Sequence, residues 1–311
     1  MRVLFMGTPE FARVALESLI KAKFEVVGVI TQPDKPVGRK LILTPPPVKE
    51  CAIQHDIKVY QPQTLRGEEF AGLLAEIAPD IIVVAAYGKI LPKNVIDFPK
   101  YGCINIHASL LPKYRGTSPI NAAIMDGEKI TGITIMHMDE GIDTGDMILK
   151  GELDIGYDET FGELHDRMAV LGGELIVEAL EQIKAGTAKR EKQPEDGASY
   201  VGKIDNETCE IDWNLSALQI YNKIRGLSPI STAFTWLNGK KLKIYKSGLA
   251  DNNIAGKYKN GEVITASKVI EVQTGDKIIE LLELQLEGGK KMSAGDFING
   301  RKIEKGAVLG E

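Results

Sequence analysis

The sequence predicts an α/β protein in which a Rossmann-like domain with a parallel sheet is followed by a small OB-like β-barrel domain. Short apolar runs alternate with segments of helical periodicity over the first half of the chain, a pattern typical of parallel strands linked by helices. A polar, turn-rich stretch begins at Lys189. Several short alternating runs with intervening turn residues come after it, which is typical of a small antiparallel barrel.

We therefore expect a catalytic domain over residues 1–188, a linker over residues 189–206 and a second domain over residues 207–311. A chain of 311 residues is long enough for a full α/β domain and a smaller one. The apolar content of 43% and the charged content of 26% are ordinary for a soluble globular protein.

Composition narrows the class of function. The net charge of −5 argues against a protein that coats nucleic acid with its whole surface, although 15 basic and 13 acidic residues from Glu207 onward make the second domain mildly basic.

No apolar run approaches the ~20 residues of a membrane span, and we expect no signal peptide. The three cysteines are widely spaced without a CxxC pair, which favours a reduced, cytoplasmic protein. We expect neither a membrane nor DNA as a partner.

The chain opens with a predicted strand–helix–strand unit. Arg2–Met6 is a short apolar run, and Thr8-Pro9-Glu10 favours a helix start with Thr8 as the capping residue. Val26–Ile30 is a β-branched run that predicts a second parallel strand. The unit has no GxGxxG motif, so it predicts a Rossmann-like architecture without evidence for NAD.

Residues 32–47 form a long predicted loop that contains five prolines and the basic cluster Gly38-Arg39-Lys40. One interpretation is a crossover at the surface. The other is a basic finger presented to a ligand, because loops of this length in a compact domain are often functional. The residues alone leave both interpretations open.

A slot for a flat ring is predicted after the most apolar run of the chain. Helices are expected at 48–55 and 68–77, with a short strand at 58–60. Asp80–Ala86 then predicts a buried strand, and ligands in open α/β sheets bind at the carboxyl ends of the strands. The slot would be lined by residues that directly follow this strand: Tyr87, Gly88, Ile90 and Leu91.

The stretch Gly102–Asp146 concentrates polar residues that a buried strand does not otherwise carry. Asn105 and His107 are two residues apart on a predicted strand, so their side chains point to the same face. A turn with a rigid proline follows over Ser109–Pro112, and Asp143 lies downstream in a glycine-rich loop. An amide, an imidazole and a carboxylate provide an oxyanion binder, a proton carrier and a base for acyl transfer.

Each of these side chains also has a purely structural interpretation. A single Asn or His on a buried strand is usually hydrogen-bonded within the core, and an Asp in a glycine-rich loop usually forms a turn. A metal site made of His107, His137, Asp139 and Asp143 is conceivable. The four histidines include no HExxH motif, however, and we expect no metal.

The remainder of the chain predicts a strand at 147–155 and a long helix at 160–185. After the polar stretch we expect a helix at 215–224 and strands at 233–237, 242–245, 263–264, 269–272 and 278–286. Asn238-Gly239 predicts a hairpin turn. Four lysines cluster near this turn, either as a solvated strand face or as contacts to a polyanion: Lys240, Lys241, Lys243 and Lys246.

The motifs resemble those of a known family. The Asn-x-His strand, the Ser-Leu-Leu-Pro loop and the downstream Asp143 are similar to those of the formyltransferases that use 10-formyltetrahydrofolate. The resemblance continues along the chain in the order of the family, through FMGTPEF, QPDKPVGR, AYGKILP, NIHASLLPKYRG, MDEGIDTGD, KIDNETCEIDW and GKKMSAGDFINGRK. The long loop and the C-terminal stretches resemble the branch whose acceptor is methionyl-tRNA.

The resemblance implies that a formyl group passes from 10-formyltetrahydrofolate to the free amino group of initiator methionyl-tRNA, for translation initiation. It implies that Asn105, His107 and Asp143 are the catalytic set. Asn105 and His107 would donate hydrogen bonds to the formyl oxygen, and Asp143 would accept the proton that the amine loses. No covalent nucleophile is needed.

The resemblance also implies binding residues. The tRNA acceptor stem would be approached by Arg39 and Lys40, and residues 207–311 would form a tRNA-binding domain. The folate would be held by the loop after the Asn-x-His strand: Ser109, Leu110, Leu111 and Pro112.

Two other functions remain possible at this point. A formyltransferase acting on a small amine, such as an amino sugar nucleotide, would keep the central stretch but need neither the basic loop nor an OB-like tail. A non-catalytic RNA-binding protein on a decayed enzyme fold would be expected to lack Asn105, His107 or Asp143, and all three are present.

Overall fold

The structure, a computed structural model, describes residues 1–38, 41–250, 257–300 and 302–311. The chain divides into two compact units. The first comprises residues 1–116, 130–153 and 165–200, and the second comprises residues 117–129, 154–164 and 201–311.

The elements up to residue 201 follow the predicted order closely. They are β1 (Arg2–Gly7), α1 (Glu10–Lys21), β2 (Glu25–Ile30), β3 (Lys35–Val37), β4 (Ile42–Thr44), α2 (Pro47–Gln54), β5 (Val59–Tyr60), α3 (Glu68–Ile77), β6 (Ile81–Ala85), α4 (Lys93–Ile96), β7 (Cys103–His107), β8 (Arg115–Gly116), α5 (Pro119–Met125), β9 (Ile130–His137), β10 (Met147–Asp154), α6 (Phe161–Ala185) and β11 (Tyr200–Val201). The short helices α4 and α5 were not predicted.

The first unit is built on a seven-stranded sheet of order β10-β9-β7-β6-β1-β2-β5. Strand β1 pairs in parallel with β2 and β6, β2 with β5, and β6 with β7. Strand β9 runs antiparallel to β7, so the Rossmann-like sheet is mixed and not wholly parallel. The register between β6 and β7 pairs Val84 with Asn105, which brings the carboxyl ends of these two strands side by side.

The central strands explain the long apolar runs of the sequence. Residues Val3–Met6 of β1 have no exposed surface, and Ile81–Ala85 of β6 are all buried. A parallel strand covered on both faces needs apolar residues at every position, whereas a half-exposed strand alternates.

The start of α1 differs from the prediction. The residue at the N-cap position is Pro9, and no side chain caps the helix. The hydroxyl of Thr8 donates instead to the backbone oxygen of Tyr87 at 3.1 Å. Thr8 therefore ties the end of β1 to the residues that follow β6, and the proposed capping role was wrong.

The long proline-rich loop contains a small hairpin. Strands β3 and β4 pair antiparallel, with Pro36 opposite Leu43. Proline is tolerated here because each of these two strands has a free edge. Arg39 and Lys40, the basic residues of the predicted finger, lie outside the described residues.

The remaining elements belong to the second unit. They are α7 (Asn206–Cys209), α8 (Ala217–Leu227), β12 (Ala233–Leu237), β13 (Lys240–Leu249), β14 (Val263–Ala266), β15 (Ile270–Gln273), β16 (Ile278–Leu286), β17 (Met292–Ser293) and α9 (Ala294–Asn299). The strands form an antiparallel sheet of order β12-β13-β16-β15-β14, with β17 paired to β16. This is the C-terminal antiparallel β domain that the sequence predicts.

Local sequence signals account for two features of this unit. Asn238 and Gly239 both have positive φ, at 51° and 71°, which is the requirement of a type I′ hairpin turn between β12 and β13. Helix α8 begins with a capping box in which the Ser216 hydroxyl accepts from the Gln219 amide N–H and the Gln219 side chain accepts from Ser216.

Two segments that precede residue 188 pack within the second unit. The Asn121 side chain of α5 donates to the backbone oxygen of Gly226 in α8 at 2.7 Å. Arg225 donates to the backbone oxygen of Glu159 at 3.1 Å, and Tyr221 donates to the Asp158 carboxylate. Helix α8 is thus hydrogen-bonded to segments that are distant from it in sequence. The composition of the chain does not indicate these contacts.

Among the helices described in the structure, none is both long enough and apolar enough to cross a membrane.

Candidate active site

Asn105 and His107 share one face of β7, as the two-residue spacing predicts, and both side chains reach Asp143. The Asn105 Nδ2 donates to Asp143 Oδ1 at 3.3 Å. The His107 Nδ1 lies 3.5 Å from Asp143 Oδ2. The structure therefore brings together three side chains that are up to 38 residues apart in the chain.

Asp143, which lies next to Asn105 and His107, has an unusual backbone conformation. Its φ is +53°, in the left-handed region that Asp and Asn tolerate better than most residues. A Cβ on Gly145 would lie 1.9 Å from the backbone oxygen of His137, so only glycine allows this approach to β9. The Asp139 carboxylate closes the loop by accepting from Gly141 N–H and the Thr144 hydroxyl. Asp139 is therefore occupied within the loop.

The hydrogen bonds of His107 fix its tautomer. The Nε2 atom lies 2.9 Å from the backbone oxygen of Tyr114, which can only accept, so Nε2 carries a proton. The Nδ1 atom faces Asp143 and is the nitrogen left for exchange of a second proton. With its side chain 5% exposed, His107 is shielded from water, while the Asp143 side chain is 17% exposed and reachable from solvent.

The Asp143 carboxylate has a second donor. The backbone N–H of Gly116 in β8 donates to Oδ2 at 2.9 Å. Asn105 uses one of its two amide hydrogens on Oδ1, and the other has no hydrogen-bond partner among the described residues. The cluster therefore offers a free N–H, an imidazole and a carboxylate around one position.

Hydrogen bonds and burial tie the turn over Ser109–Pro112 to its surroundings. The Thr134 hydroxyl donates to the Ser109 oxygen at 2.7 Å and accepts from the Leu111 N–H at 3.1 Å. The Ser109 hydroxyl donates to the Lys113 oxygen at 2.6 Å. Leu111 is buried against Met136 and Met147.

The residues predicted to line a slot differ in exposure. Tyr87 and Leu91 are buried in the apolar cluster on one face of the sheet, whereas Ile90 is 86% exposed. Burial raises the pKa of Tyr87 to about 12, and its hydroxyl has no hydrogen-bond partner among the described residues. Gly88, with φ at +83°, lies between these positions and is exposed.

Sequence reasoning missed two residues that contact this site. The side chain of Arg115 is 1% exposed and donates from Nε to Gln193 Oε1 at 3.0 Å. Gln193 in turn donates to backbone oxygens of the Asp143 loop. Gln193 lies in the stretch predicted as a linker, and a polar residue in a turn-rich stretch gives no signal of such contacts.

The conceivable metal site does not form. Within the described ranges, no three His, Cys, Asp or Glu side chains come together in a group that could hold a metal ion. His137 lines a separate cavity of about 240 Å³ with Lys100, Tyr101 and Arg190. Burial, with the nearby charge of Arg190, lowers the pKa of His137 to about 4.

The clustered lysines of the second unit lie on the solvated face of β13. Leu242 and Ile244 are buried, and Lys241 and Lys243 alternate with them. The Lys241 ammonium lies 3.7 Å from the centre of the Phe234 ring and 5.6 Å from that of Trp236. This alternation fits a strand face directed away from the core, and it places the Lys241 cation on an aromatic surface.

Comparison with known proteins places these features in a class. Residues 1–180 match the family described as formyl transferase, and residues 203–302 match the formyl transferase C-terminal domain. These two matches, which cover most of the chain, define the class of the protein as a formyl-transferring enzyme.

Curated relatives narrow the class. A methionyl-tRNA formyltransferase from Ruminiclostridium cellulolyticum is 46% identical over 312 residues and covers 100% of both chains. One from Bacillus subtilis is 48% identical over 312 residues, covering 99% of this chain and 98% of its own. The chain belongs to the methionyl-tRNA formyltransferase family.

Solved structures share the fold at lower identity. An N-formyltransferase from Helicobacter canadensis, described in complex with folinic acid and dTDP-3-aminofucose, aligns with a TM-score of 0.67 and 21% identity. The alignment covers 90% of this chain and 98% of that protein.

Proposed function

We propose that this chain transfers the formyl group of 10-formyltetrahydrofolate to the free amino group of initiator methionyl-tRNA, and that Asn105, His107 and Asp143 surround the reacting atoms. The observation that carries the proposal is the convergence of these side chains at the end of β7, where Asn105 and His107 lie 3.3 and 3.5 Å from the Asp143 carboxylate. The family membership of the whole chain supports the choice of acceptor.

The reaction sets the requirements of the site. The amine nitrogen bonds to the formyl carbon, and the bond from that carbon to the folate nitrogen breaks. The amine loses one proton, the folate nitrogen gains one, and negative charge develops on the formyl oxygen meanwhile. The site therefore needs a hydrogen-bond donor for the oxygen and a group that accepts and returns a proton.

Asn105 is the donor to the formyl oxygen in this proposal. One of its amide hydrogens is fixed on Asp143, which orients the side chain. The other is the hydrogen that we assign to the formyl oxygen. Removal of one such donor typically costs ~10²–10³ in rate.

His107 can assist only through Nδ1, because its Nε2–H is engaged by the Tyr114 oxygen. The Nδ1 atom lies 3.5 Å from the Asp143 carboxylate, so in the doubly protonated imidazolium form an Nδ1–H can be shared between the carboxylate and the substrate oxygen. This refines the expectation that His107 donates a hydrogen bond, because it names the nitrogen that does so.

Asp143 is the proton acceptor. Its carboxylate receives hydrogen bonds from Asn105 and Gly116 and retains further lone pairs. It accepts the proton of the attacking amine, directly or through water, and returns a proton to the departing nitrogen. Burial makes Cys103 an unsuitable nucleophile, since it raises the pKa of this thiol well above its usual range.

The rigid turn and the slot are the proposed folate contacts. Ser109–Pro112 is fixed by Thr134, so it can present backbone groups to a ring without reordering. The Tyr87 hydroxyl has no hydrogen-bond partner among the described residues, so its O–H can donate to a ligand. The similar fold described with folinic acid supports a folate-type donor.

The tRNA contacts are proposed from charge. Arg39 and Lys40 are basic residues of the long loop, and we assign them to the acceptor stem. We further propose that residues 1–188 carry the chemistry, that residues 207–311 add affinity for tRNA, and that 189–206 connect them. Because the acceptor serves translation, we place the enzyme in the cytoplasm.

The test is formyl transfer from 10-formyltetrahydrofolate to charged initiator methionyl-tRNA, to charged elongator methionyl-tRNA and to a nucleotide amino sugar. We expect the initiator to have the highest kcat/KM. Preferred transfer to the amino sugar would instead support a small-amine formyltransferase. An absence of transfer to all three acceptors would overturn the proposal.

A further inference from the structure

Gln193 bridges the catalytic loop to the core of the first unit. Its Nε2 donates to the backbone oxygens of Asp143 and Gly145, both at 2.8 Å. These two carbonyls flank Thr144, so one amide group spans the C-terminal half of the loop that carries the carboxylate. Gln193 has no contact with Asn105 or His107 among the hydrogen bonds of the described residues.

Arg115 sets the orientation of the Gln193 amide. A guanidinium can only donate, so the Gln193 oxygen must face Arg115 Nε, at 3.0 Å. The amide nitrogen must then face the loop, where the carbonyls can only accept. The amide oxygen and the amide nitrogen of Gln193 therefore require the same orientation of the amide group.

Arg115 is itself fixed by burial. It is the largest of the fully buried side chains, and its Nη1 donates to the Tyr200 hydroxyl at 3.0 Å. Its Nη2 has no hydrogen-bond partner among the described residues. A buried cation with an unsatisfied N–H is costly. Its hydrogen bonds to Gln193 and Tyr200 hold the guanidinium in one position.

The backbone around Arg115 contacts the catalytic set on both sides. The preceding residue, Tyr114, accepts from His107, and the following residue, Gly116, donates to Asp143. Arg115 thus links the bonds that orient His107 and Asp143 with the bond that orients Gln193.

We propose that Gln193 is a positioning residue for formyl transfer. With the help of Arg115, it holds the backbone of Asp143 in the left-handed conformation and so fixes the position of the carboxylate. The inference rests on the proposed role of Asp143 as proton acceptor. Asp143 is strained at a φ of +53°, and strained residues persist where their surroundings fix them. Without the two N–H···O bonds the loop has other conformations available, and a misplacement of ~1 Å at a reacting group costs ~10²-fold in rate.

The variant that isolates this role is Gln193→Glu. The glutamate keeps the length of the side chain and gives Arg115 an ion-pair partner, so the buried guanidinium keeps its Nε acceptor. Its oxygens cannot donate to the two carbonyls, which they repel. Gln193→Ala removes the hydrogen bonds to the loop carbonyls and the acceptor of Arg115 Nε. This second variant therefore measures how much the Gln193 side chain contributes to the stability of the fold.

We expect Gln193→Glu to lower kcat ~10- to 100-fold while the KM values for folate donor and tRNA change less than ~2-fold. The matched control is Gln182→Ala, because the Gln182 amide of α6 donates to Glu178 and has no hydrogen bond to the Asp143 loop among the described residues. It should retain the wild-type kcat. Thermal unfolding of each variant confirms that the fold is kept.

The outcomes separate the inference from the proposed function. If wild-type protein forms formylmethionyl-tRNA and Gln193→Glu keeps its kcat within ~2-fold, positioning by Gln193 is wrong and the function stands. A rise in both KM values at constant kcat would also overturn it, since positioning of Asp143 acts on the chemical step. If wild-type protein forms no product, the proposed function itself fails.

Discussion

The cluster around Asp143 and the lysine face of β13 hold their polar side chains in opposite ways. In the first unit Asn105, His107 and Asp143 are largely buried and each is hydrogen-bonded to protein. In the second unit Lys241 and Lys243 are half-buried on the face of β13 opposite Leu242 and Ile244, and the Lys241 ammonium lies over aromatic rings. The first region fixes its polar groups by directional hydrogen bonds, whereas the Lys241 ammonium is held by a less directional cation–π contact.

Because of this difference, we expect the two regions to have different functions. Buried, pre-oriented groups stabilise charge in a transition state because they need no reorganisation. Lysine ammonium groups attract phosphates from any direction but do not fix a geometry. Variants of the first region should therefore change kcat, and variants of the second region should change affinity and its dependence on salt.

The largest effect is expected at Asp143. Asp143→Asn keeps the size of the side chain but cannot accept a proton as a carboxylate does, so kcat should fall by ~10³ or more. Steady-state formylation at saturating substrates measures the decrease. Asp196→Asn, at an exposed position of the same unit, is the control. A variant with wild-type kcat and pH–rate profile would reduce Asp143 to a loop former.

The next effect is expected on β7. Asn105→Ala and His107→Ala should each lower kcat ~10²–10³-fold with little change in tRNA binding, because each removes a donor to the developing charge. The controls are Asn94→Ala and His55→Ala, which alter exposed residues. Retention of most of the rate by either site variant would show that its side chain is not a donor to the formyl oxygen.

A smaller effect is expected at Arg39. Arg39→Ala should lower kcat/KM for tRNA ~10-fold and leave folate binding unchanged, since one bidentate contact is worth ~1–3 kcal/mol. Arg39→Lys should retain only part of the wild-type kcat/KM for tRNA, because lysine lacks the guanidinium fork. The exposed Arg66→Ala serves as the control. Full activity of Arg39→Ala would make the hairpin a surface crossover.

The smallest effect is expected on β13. Lys241→Ala and Lys243→Ala should weaken tRNA binding a few-fold each, and the slope of log K against log salt should become shallower by ~0.7–0.9 for each phosphate that is no longer neutralised. Binding measured between about 50 and about 200 mM salt tests this. Lys268→Ala, exposed in the same unit, should leave the slope unchanged. Equal slopes for all variants would remove β13 from the tRNA-binding surface.

The sequence predicted the common orientation of Asn105 and His107 because the signal for it is local. Asn105 and His107 are two residues apart on an apolar strand, so strand geometry alone places them on one face. The hairpin turn at Asn238-Gly239 was predictable for a similar reason, because few residue pairs adopt positive φ twice. In both cases the residue types themselves carry the constraint.

Long-range contacts could not be predicted in this way. Gln193 reaches Asp143 across 50 residues, and Asn121 reaches Gly226 across 105 residues. No local pattern distinguishes these side chains from solvated ones. The failure of the predicted Thr8 cap has a related cause, since the Thr8 oxygen accepts from the distant Gln32 N–H at 3.4 Å and its hydrogen is donated to the Tyr87 oxygen.

The most direct measurement compares the two regions in one assay. Single-turnover formation of formylmethionyl-tRNA, followed at increasing enzyme concentration, yields both the rate constant at saturation and the half-saturating concentration. We predict that Asn105→Ala lowers the rate constant ~10²–10³-fold at unchanged half-saturation, and that Lys241→Ala does the reverse, raising half-saturation at unchanged rate constant. A wild-type rate constant for Asn105→Ala would contradict the account, because chemistry would then not depend on the buried cluster.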